Sequence, residues 1–241
     1  MKIEEYLSTL PSNILSGEEI QIPPDSIREI FRFADLGEND VFYHLGCGEG
    51  TSLSIARQEF NVKSAVGIDN SKKMIDNAKK SIENDKISNV RLIEQDVLEA
   101  DLSDASVILC WFMDPDIMES LMEKFEKLGD DVKIITIWAP LPGCLPQKVD
   151  FPYIMNKTPF VETDDLKKQL LAVFETECIG FVTAWEFAER YTKSIGRDNP
   201  ENDRFLVIIQ ALTIWINAKN LGVACGEEMP ESIRSYIAIL K

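Results

Sequence analysis

The chain has 241 residues, of which 45% are hydrophobic and 27% charged, as in an ordinary soluble globular protein. Its 41 acidic and 25 basic residues give a formal net charge of −16. That charge repels phosphate backbones, so we expect no nucleic-acid partner. It would attract a basic protein or a cationic small molecule, although an acidic surface also serves solubility alone. With no apolar run of bilayer-spanning length and a polar start, MKIEEYLSTL, we expect a cytoplasmic protein that does not bind membranes.

The cysteines and the single histidine bear on metal and redox chemistry. The five cysteines lie far apart, form no C-x-x-C pair and are odd in number: Cys47, Cys110, Cys144, Cys178 and Cys225. This pattern predicts reduced thiols of a cytoplasmic protein, with neither a disulfide framework nor a zinc site. A single histidine also argues against a histidine-based metal site. We expect no bound metal.

Short β-rich runs alternate with helical patterns between residues 40 and 138. The predicted strands are VFYHL (41–45), VKSAVGID (62–69), NVRLIEQD (89–96), ASVILCWF (105–112) and VKIITIW (132–138). Predicted helices begin near Thr51, after an N-cap at Ser71, and after Asp114 with Pro115 at the first helical position. This alternation predicts an α/β fold with a doubly wound, mostly parallel sheet.

The remainder of the chain has a different pattern. Residues 139–160 contain five prolines and predict a loop followed by a two-stranded hairpin within 148–160. Helical stripes follow, one with a break expected at Gly180 (Phe174, Cys178, Phe181, Trp185, Ala188) and one after a loop at 196–202 (Phe205, Ile208, Ile209, Leu212, Trp215, Ile216). A last short helix would carry Ile233, Ile237 and Leu240.

We therefore expect three parts: a helical lead-in at 1–21, a ligand-binding domain at 22–160 and a helical appendage at 161–241. The appendage is expected to pack on the hairpin side of the sheet. There it would form either the substrate entrance or a surface for homo-oligomer formation. The alternative is that it only covers a sheet edge.

Three glycines follow the first predicted strand in HLGCGEG, namely Gly46, Gly48 and Gly50. In open α/β sheets, ligands bind at the carboxyl ends of the strands, where glycine lets the backbone approach them closely. A dinucleotide site would place its third glycine at position 51, which is Thr51 here. The G-x-G-x-G spacing therefore argues against a nicotinamide cofactor. It fits a ligand without a pyrophosphate, although glycines also serve bare turns.

Carboxylates stand at the next two strand ends. Asp69 ends the second predicted strand, where a carboxylate can accept hydrogen bonds from both hydroxyls of a ribose. Asp96 ends the third, where it can accept one from an adenine amine. Each could instead cap a helix or a turn.

Together, HLGCGEG, VGID and QDV resemble the cofactor motifs of class I S-adenosylmethionine-dependent methyltransferases. The span from about Ile22 to Trp138 is further similar to small archaeal protein-lysine methyltransferases. The resemblance implies a seven-stranded Rossmann-like sheet and S-adenosylmethionine as cofactor. It implies these cofactor-binding residues: Pro23, His44, Gly46, Gly48, Glu49, Gly50, Asp69, Asn70, Asp96 and Val97. We expect methyl transfer to an amine, with protein lysine favoured over a small molecule. The alternative is a non-catalytic cofactor-binding or scaffold protein that works through its helical appendage.

His44 departs from that family, which usually has an acid at this position. A neutral imidazole can still accept a hydrogen bond, whereas a protonated one would oppose the positive charges of the cofactor. We favour a satisfied, partly buried histidine that closes the first strand, and expect any effect of its charge between pH 8 and pH 6. A catalytic base and a sign of weakened cofactor binding are the alternatives.

The ends of the fourth and fifth predicted strands should face the methyl group. They carry Trp111, Phe112 and Trp138, whose rings could position a lysine-like amine or simply close the core. The following Asp114-Pro115-Asp116-Ile117 lacks the second proline and the aromatic residue of base-amine methylases, which disfavours base methylation.

Overall fold

A computed structural model describes residues 21–111, 115–194, 200–226 and Glu231. The predicted lead-in at 1–21, apart from Gln21, lies outside these residues. So do Phe112, Asp114 and the predicted last helix.

A seven-stranded sheet forms the centre of the molecule. Its strands are β1 (Val41–Leu45), β2 (Ser64–Asp69), β3 (Val90–Glu94), β4 (Val107–Cys110), β5 (Lys133–Ile137), β7 (Lys148–Asp150) and β8 (Tyr153–Lys157). They lie in the order β3-β2-β1-β4-β5-β8-β7. The first five are parallel, and β8 is antiparallel to both β5 and β7. The short strands β6 (Cys144–Leu145) and β9 (Val161–Glu162) pair separately. The predicted doubly wound, mostly parallel sheet and the hairpin are confirmed.

The chain order and the burial of the strands place the reversal of strand order between β1 and β4. Neighbouring residues of β1 point to opposite faces, so that Phe42 enters one apolar core and Tyr43 the other. Both are at most 1% exposed. Since the sheet is covered on both faces, the carboxyl ends of β1 and β4 leave a crevice at the edge where a ligand can enter.

Four helices cover the sheet within the predicted domain: α1 (Pro24–Phe33), α2 (Thr51–Gln58), α3 (Lys72–Asn84) and α4 (Pro115–Phe125). The predicted N-cap at Ser71 is present, because its hydroxyl accepts a hydrogen bond from the amide of Met74. The expected apolar face of α3 is buried through Ile75, Ala78 and Ile82. Helix α4 begins at Pro115, as predicted.

Three further helices follow: α5 (Leu166–Phe174), α6 (Phe181–Ser194) and α7 (Pro200–Asn220). The stripe predicted from Phe174 to Ala188 is divided between α5 and α6, with Gly180 in the break. The predicted loop at 196–202 is wrong at its end, because α7 starts at Pro200. The face of α7 is rotated from the prediction. Ile216 is 49% exposed, while the buried side chains are Val207, Ile208, Ala211, Ile214, Trp215 and Ala218.

The C-terminal helices dock against the hairpin side of the sheet, as expected. The ring of Phe151, in the β7–β8 turn, packs against Phe174 of α5 and Phe187 of α6 with centroids 5.4 and 4.7 Å away. The guanidinium of Arg190 donates a 3.0 Å hydrogen bond to the carbonyl of Phe151. At the end of α6, the carbonyl of Ser194 accepts a hydrogen bond from the hydroxyl of Ser26 on α1. Helix α6 is thus held to the sheet and to α1.

A disulfide joins Cys178 to Cys225, so the expectation that all five cysteines are reduced thiols is wrong. Because α6 and α7 run antiparallel, the segment before α6 meets the segment after α7. There the amide of Ile179 bonds the carbonyl of Val223 and the amide of Cys225 bonds the carbonyl of Ile179. These backbone hydrogen bonds bring the Cα atoms of Cys178 and Cys225 to 5.4 Å from each other, within the range of a disulfide. The other three cysteines are free and buried.

Within the described parts of the chain, no helix has the length and apolarity needed to cross a membrane. The same residues contain no cluster of three or more side chains suited to hold a metal ion.

Candidate active site

The glycine loop after β1 folds back over the end of β2. The amides of Gly46 and Cys47 both donate to the carbonyl of Ile68, at 2.8 and 3.0 Å. Gly46 and Gly48 have φ angles of 75° and 53°, which disfavour residues with a side chain. Gly67 on β2 makes room for the loop, since a Cβ there would lie 2.7 Å from the sulfur of Cys47. Burial, followed by the charge of Asp69, raises the pKa of the Cys47 thiol to about 12, so it is a protonated packing group.

Asp69 is held in place by backbone donors on both sides. Its Oδ2 accepts from the amide of Gly48 at 2.8 Å, and its Oδ1 from the amide of Ser71 at 2.9 Å. A carboxylate has about four acceptor positions, so each oxygen keeps one for a ligand hydroxyl. Its side chain is therefore oriented before any ligand arrives.

Asp96 caps a short 3₁₀ turn, Val97–Glu99. Its Oδ1 accepts a 2.9 Å hydrogen bond from the amide of Leu98, while the side chain stays exposed. The turn-capping alternative is thus realised at this position. It uses one carboxylate oxygen, and the other can still accept from an amine.

A cleft of about 160 Å³ opens between these strand ends. It is lined by Gly46, Asp69, Asn70, Asp96, Val97, Leu98 and Ile117. The first five were predicted from the sequence and are brought together by the fold. Leu98 and Ile117 were not predicted, because the sequence pattern assigns an apolar residue in a turn or on a helical stripe to the hydrophobic core. Two carboxylates above an apolar wall and a glycine backbone suit the polar hydroxyls and flat base of an adenosyl group.

Five predicted cofactor residues are not among those lining the cleft. Glu49 accepts a 3.0 Å hydrogen bond from the side-chain amide of Asn77 on α3. Gly50 precedes α2, and a Cβ there would lie 3.1 Å from that of Ala78, so it allows α2 and α3 to pack closely. Gly48 lies beneath the side chain of Gln21, whose Oε1 would be 2.7 Å from a Cβ at that position. His44 is described next.

His44 is buried, with 6% of its surface exposed, and its Nδ1 lies 2.7 Å from the hydroxyl of Ser52 on α2. Burial lowers its pKa to about 4. The favoured interpretation, a satisfied histidine closing β1, agrees with this geometry. The expected change of charge between pH 8 and pH 6 is wrong, because the imidazole stays neutral throughout that range.

Pro23 lies just ahead of α1 and its carbonyl accepts from the amide of Ile27 at 3.0 Å. It is partly buried and, like the four residues above, is absent from the lining of the cleft. Gln21, two positions before Pro23, lies against Gly48, so this segment reaches the glycine loop.

Trp111 and Trp138 stand at the carboxyl ends of β4 and β5 and share a neighbour, Tyr191 of α6. The Trp138 ring lies 4.5 Å from that of Tyr191, and the Trp111 ring 6.3 Å from it, both edge-to-face. Trp138 has a φ of 81°, an unusual backbone conformation for a bulky residue, and its amide donates to the carbonyl of Pro152 at 2.8 Å. The fold thus brings the two tryptophans together. Phe112 lies outside the described residues.

Comparison with known proteins identifies the fold and its chemistry. The family model "ANTKMT methyltransferase domain" matches residues 44–148. A protein-lysine N-methyltransferase of Saccharolobus islandicus is 28% identical over 132 residues, covering 54% of this chain and 81% of the relative. An RNA methyltransferase from Salinibacter ruber, solved with S-adenosylhomocysteine, superposes with a TM-score of 0.56 at 24% identity. The superposed region covers 61% of this chain and 99% of the Salinibacter ruber chain. This chain is an S-adenosylmethionine-dependent methyltransferase of the class I fold, and it resembles archaeal protein-lysine methyltransferases.

Proposed function

We propose that the protein transfers a methyl group from S-adenosylmethionine to the side-chain amine of a protein lysine. The observation that carries this proposal is the placement of two tryptophans, Trp111 and Trp138, at the strand ends that follow the cofactor cleft in the sheet order. The relative from Saccharolobus islandicus, whose name states protein lysine as its substrate, supports the same acceptor.

We propose that the residues lining the cleft bind the cofactor. Asp69 would accept from the ribose hydroxyls, Asp96 from the adenine amine, and the backbone at Gly46 would lie along the amino-acid tail. Asn70 and Val97 would complete the contact. Of the remaining predicted contacts, Gly48 and Pro23 stay candidates through the segment at Gln21. Glu49, Gly50 and His44 would act indirectly, by supporting the loop and the helices around it.

Bound in this cleft, S-adenosylmethionine would supply a methyl group already activated by its sulfonium, which would leave as a neutral thioether while the amine nitrogen gives up a proton to water. The protein mainly has to align the amine and exclude water. The aromatic rings at 111 and 138 suit both tasks, because they attract an ammonium group and pack along its alkyl chain.

The domain limits remain part of the proposal: a cofactor-binding part at 22–160 and a helical appendage at 161–241. The homo-oligomer stays a prediction, for which exposed apolar side chains in the C-terminal helices and in the turn after α7 are the candidates: Leu171, Val182, Ile216 and Leu221. The cytoplasmic location also stays a prediction, and the disulfide in the appendage removes part of its support.

The test is methylation of basic proteins with labelled S-adenosylmethionine, followed by mass spectrometry that maps the modified residue. We expect the label on lysine with the wild type and much less with Asp69→Ala. Parallel reactions with RNA and with small amines test the other acceptors. Label on RNA alone, or on a small amine alone, would contradict a protein-lysine acceptor.

A further inference from the structure

The C-terminal helices reach the edge of the sheet where the methyl acceptor must arrive. Tyr191 of α6 contacts both Trp111, which follows β4, and Trp138, which follows β5. Among the residues described, Trp111 Nε1 is one of two buried side-chain polar atoms without a hydrogen-bond partner. A polar group in that state costs stability unless a ligand or a movement of the neighbouring chain satisfies it.

The contacts of neighbouring residues on α6 fix the position of Tyr191. On one side, Arg190 bonds the carbonyl of Phe151 and its guanidinium lies 5.6 Å from the Phe151 ring centroid. Further along α6, Ser194 is bonded to α1. Tyr191 itself is 6% exposed. A side chain fixed in this way can define the width of the passage by which an acceptor amine would reach the methyl group beside Trp111 and Trp138. A mobile surface residue cannot do so.

The chemistry of Tyr191 suits an amine. Burial raises the pKa of its phenol to about 12, although the indole of Trp111 beside it acts in the opposite direction. The phenol is therefore neutral at physiological pH and its oxygen can accept a hydrogen bond. The Trp111 N–H lies near that phenol but falls short of hydrogen-bond geometry.

We propose that Tyr191 is a specificity-determining residue of the methyl-acceptor site, contributed by the C-terminal helices. Its ring forms a third wall of the passage beside Trp111 and Trp138, and its oxygen accepts a hydrogen bond from an N–H of the acceptor amine. That bond leaves the nitrogen lone pair free to attack the methyl carbon. The inference rests on the proposed function, since it names the part of the chain that recognises the alkyl amine.

The first test uses the full chain saturated with S-adenosylhomocysteine and the indole N–H signals of its four tryptophans in NMR spectra. The probe is n-butylamine, which has the shape of a lysine side chain. We expect the signals of Trp111 and Trp138 to shift and those of Trp185 and Trp215 to stay in place. This titration needs no activity and no variant. Absence of any shift at Trp111 and Trp138 would overturn the inference.

The second test compares Tyr191→Phe with Tyr43→Phe. Tyr43 is also buried, but its hydroxyl bonds Asp104 and belongs to β1, away from the passage. With Tyr191→Phe we expect unchanged affinity for S-adenosylhomocysteine and a two- to tenfold loss in kcat/KM for a lysine peptide, about the effect of one hydrogen bond. We also expect n-butylamine to bind more weakly. Tyr43→Phe should change none of these, although it lowers the melting temperature.

The two claims fail in different ways. Lysine methylation by the wild type together with unchanged kinetics and n-butylamine binding in Tyr191→Phe would reject the role of Tyr191 and leave the proposed function standing. A wild type that binds cofactor but methylates no lysine would reject the proposed function. In that case the n-butylamine titration alone would decide whether Tyr191 and Trp111 form an amine site.

Discussion

The buried imidazole of His44 should make the protein lose stability in mild acid. Its pKa is lowered from the ordinary value of 6.5 to about 4 in the folded chain. Above pH 6.5 the imidazole is neutral in both the folded and the unfolded chain, and the contribution of His44 to the free energy of unfolding is fully present. As the pH falls towards 4, His44 becomes protonated in the unfolded chain but stays neutral in the folded chain. The free energy of unfolding therefore decreases.

The size of this effect follows from the two pKa values. Between pH 7.5 and pH 5 the linkage amounts to about 2 kcal/mol, and over the full window to about 3 kcal/mol. Urea unfolding at the two pH values measures it. His44→Gln keeps a polar partner for Ser52 but cannot titrate, so this variant should lack that part of the pH dependence. If the free energy of unfolding changed with pH equally in the wild type and in His44→Gln, burial would not lower the pKa of His44.

Three further changes have defined outcomes. Asp69→Ala should weaken S-adenosylmethionine binding by about 1.5–3 kcal/mol in calorimetry, because a charged acceptor of hydrogen bonds is lost, and Asp96→Ala should weaken it less. Cys178→Ser should lower the free energy of unfolding in urea by about 2–4 kcal/mol, because it opens a cross-link between residues 47 apart in the chain. Gly67→Ala should lower that free energy by about 1–3 kcal/mol, because the new Cβ would lie 2.5 Å from Leu53 of α2 and 2.7 Å from the sulfur of Cys47. Gly37→Ala, which meets nothing within 4 Å, should change it little.

Each of these has a result that would count against it. A larger loss at Asp96 than at Asp69 would reverse the proposed roles of the two carboxylates. Equal stability of Cys178→Ser and the wild type without reductant would mean that the cross-link does not constrain the chain. If Gly67→Ala were as stable as Gly37→Ala, the glycine loop and α2 would not pack on β2 as the structure places them.

The sheet could be predicted because its signals are local. Each predicted strand is a short run rich in apolar or β-branched residues, and Ser71 and Pro115 favour helix starts by their own chemistry. The carboxylates Asp69 and Asp96 stand out for the same reason. Asp69 is the last residue of β2, and Asp96 follows the end of β3 by two positions.

The missed features depend on contacts between distant parts of the chain. The disulfide between Cys178 and Cys225 forms because α6 and α7 are antiparallel, which cysteine spacing does not reveal. The same antiparallel packing of α6 and α7 determines which face of α7 is buried, so Ile216 is exposed although it belongs to the predicted stripe. Tyr191 looks like an ordinary core residue until the sheet edge is placed beside it.

Calorimetric titration of the full chain tests whether this cleft binds S-adenosylmethionine. Separate titrations use S-adenosylmethionine, S-adenosylhomocysteine and NAD. We predict that the first two bind at one site per chain, that Asp69→Ala weakens both, and that NAD gives no binding heat. Binding of NAD, or no binding of either adenosyl compound to the folded protein, would contradict this prediction.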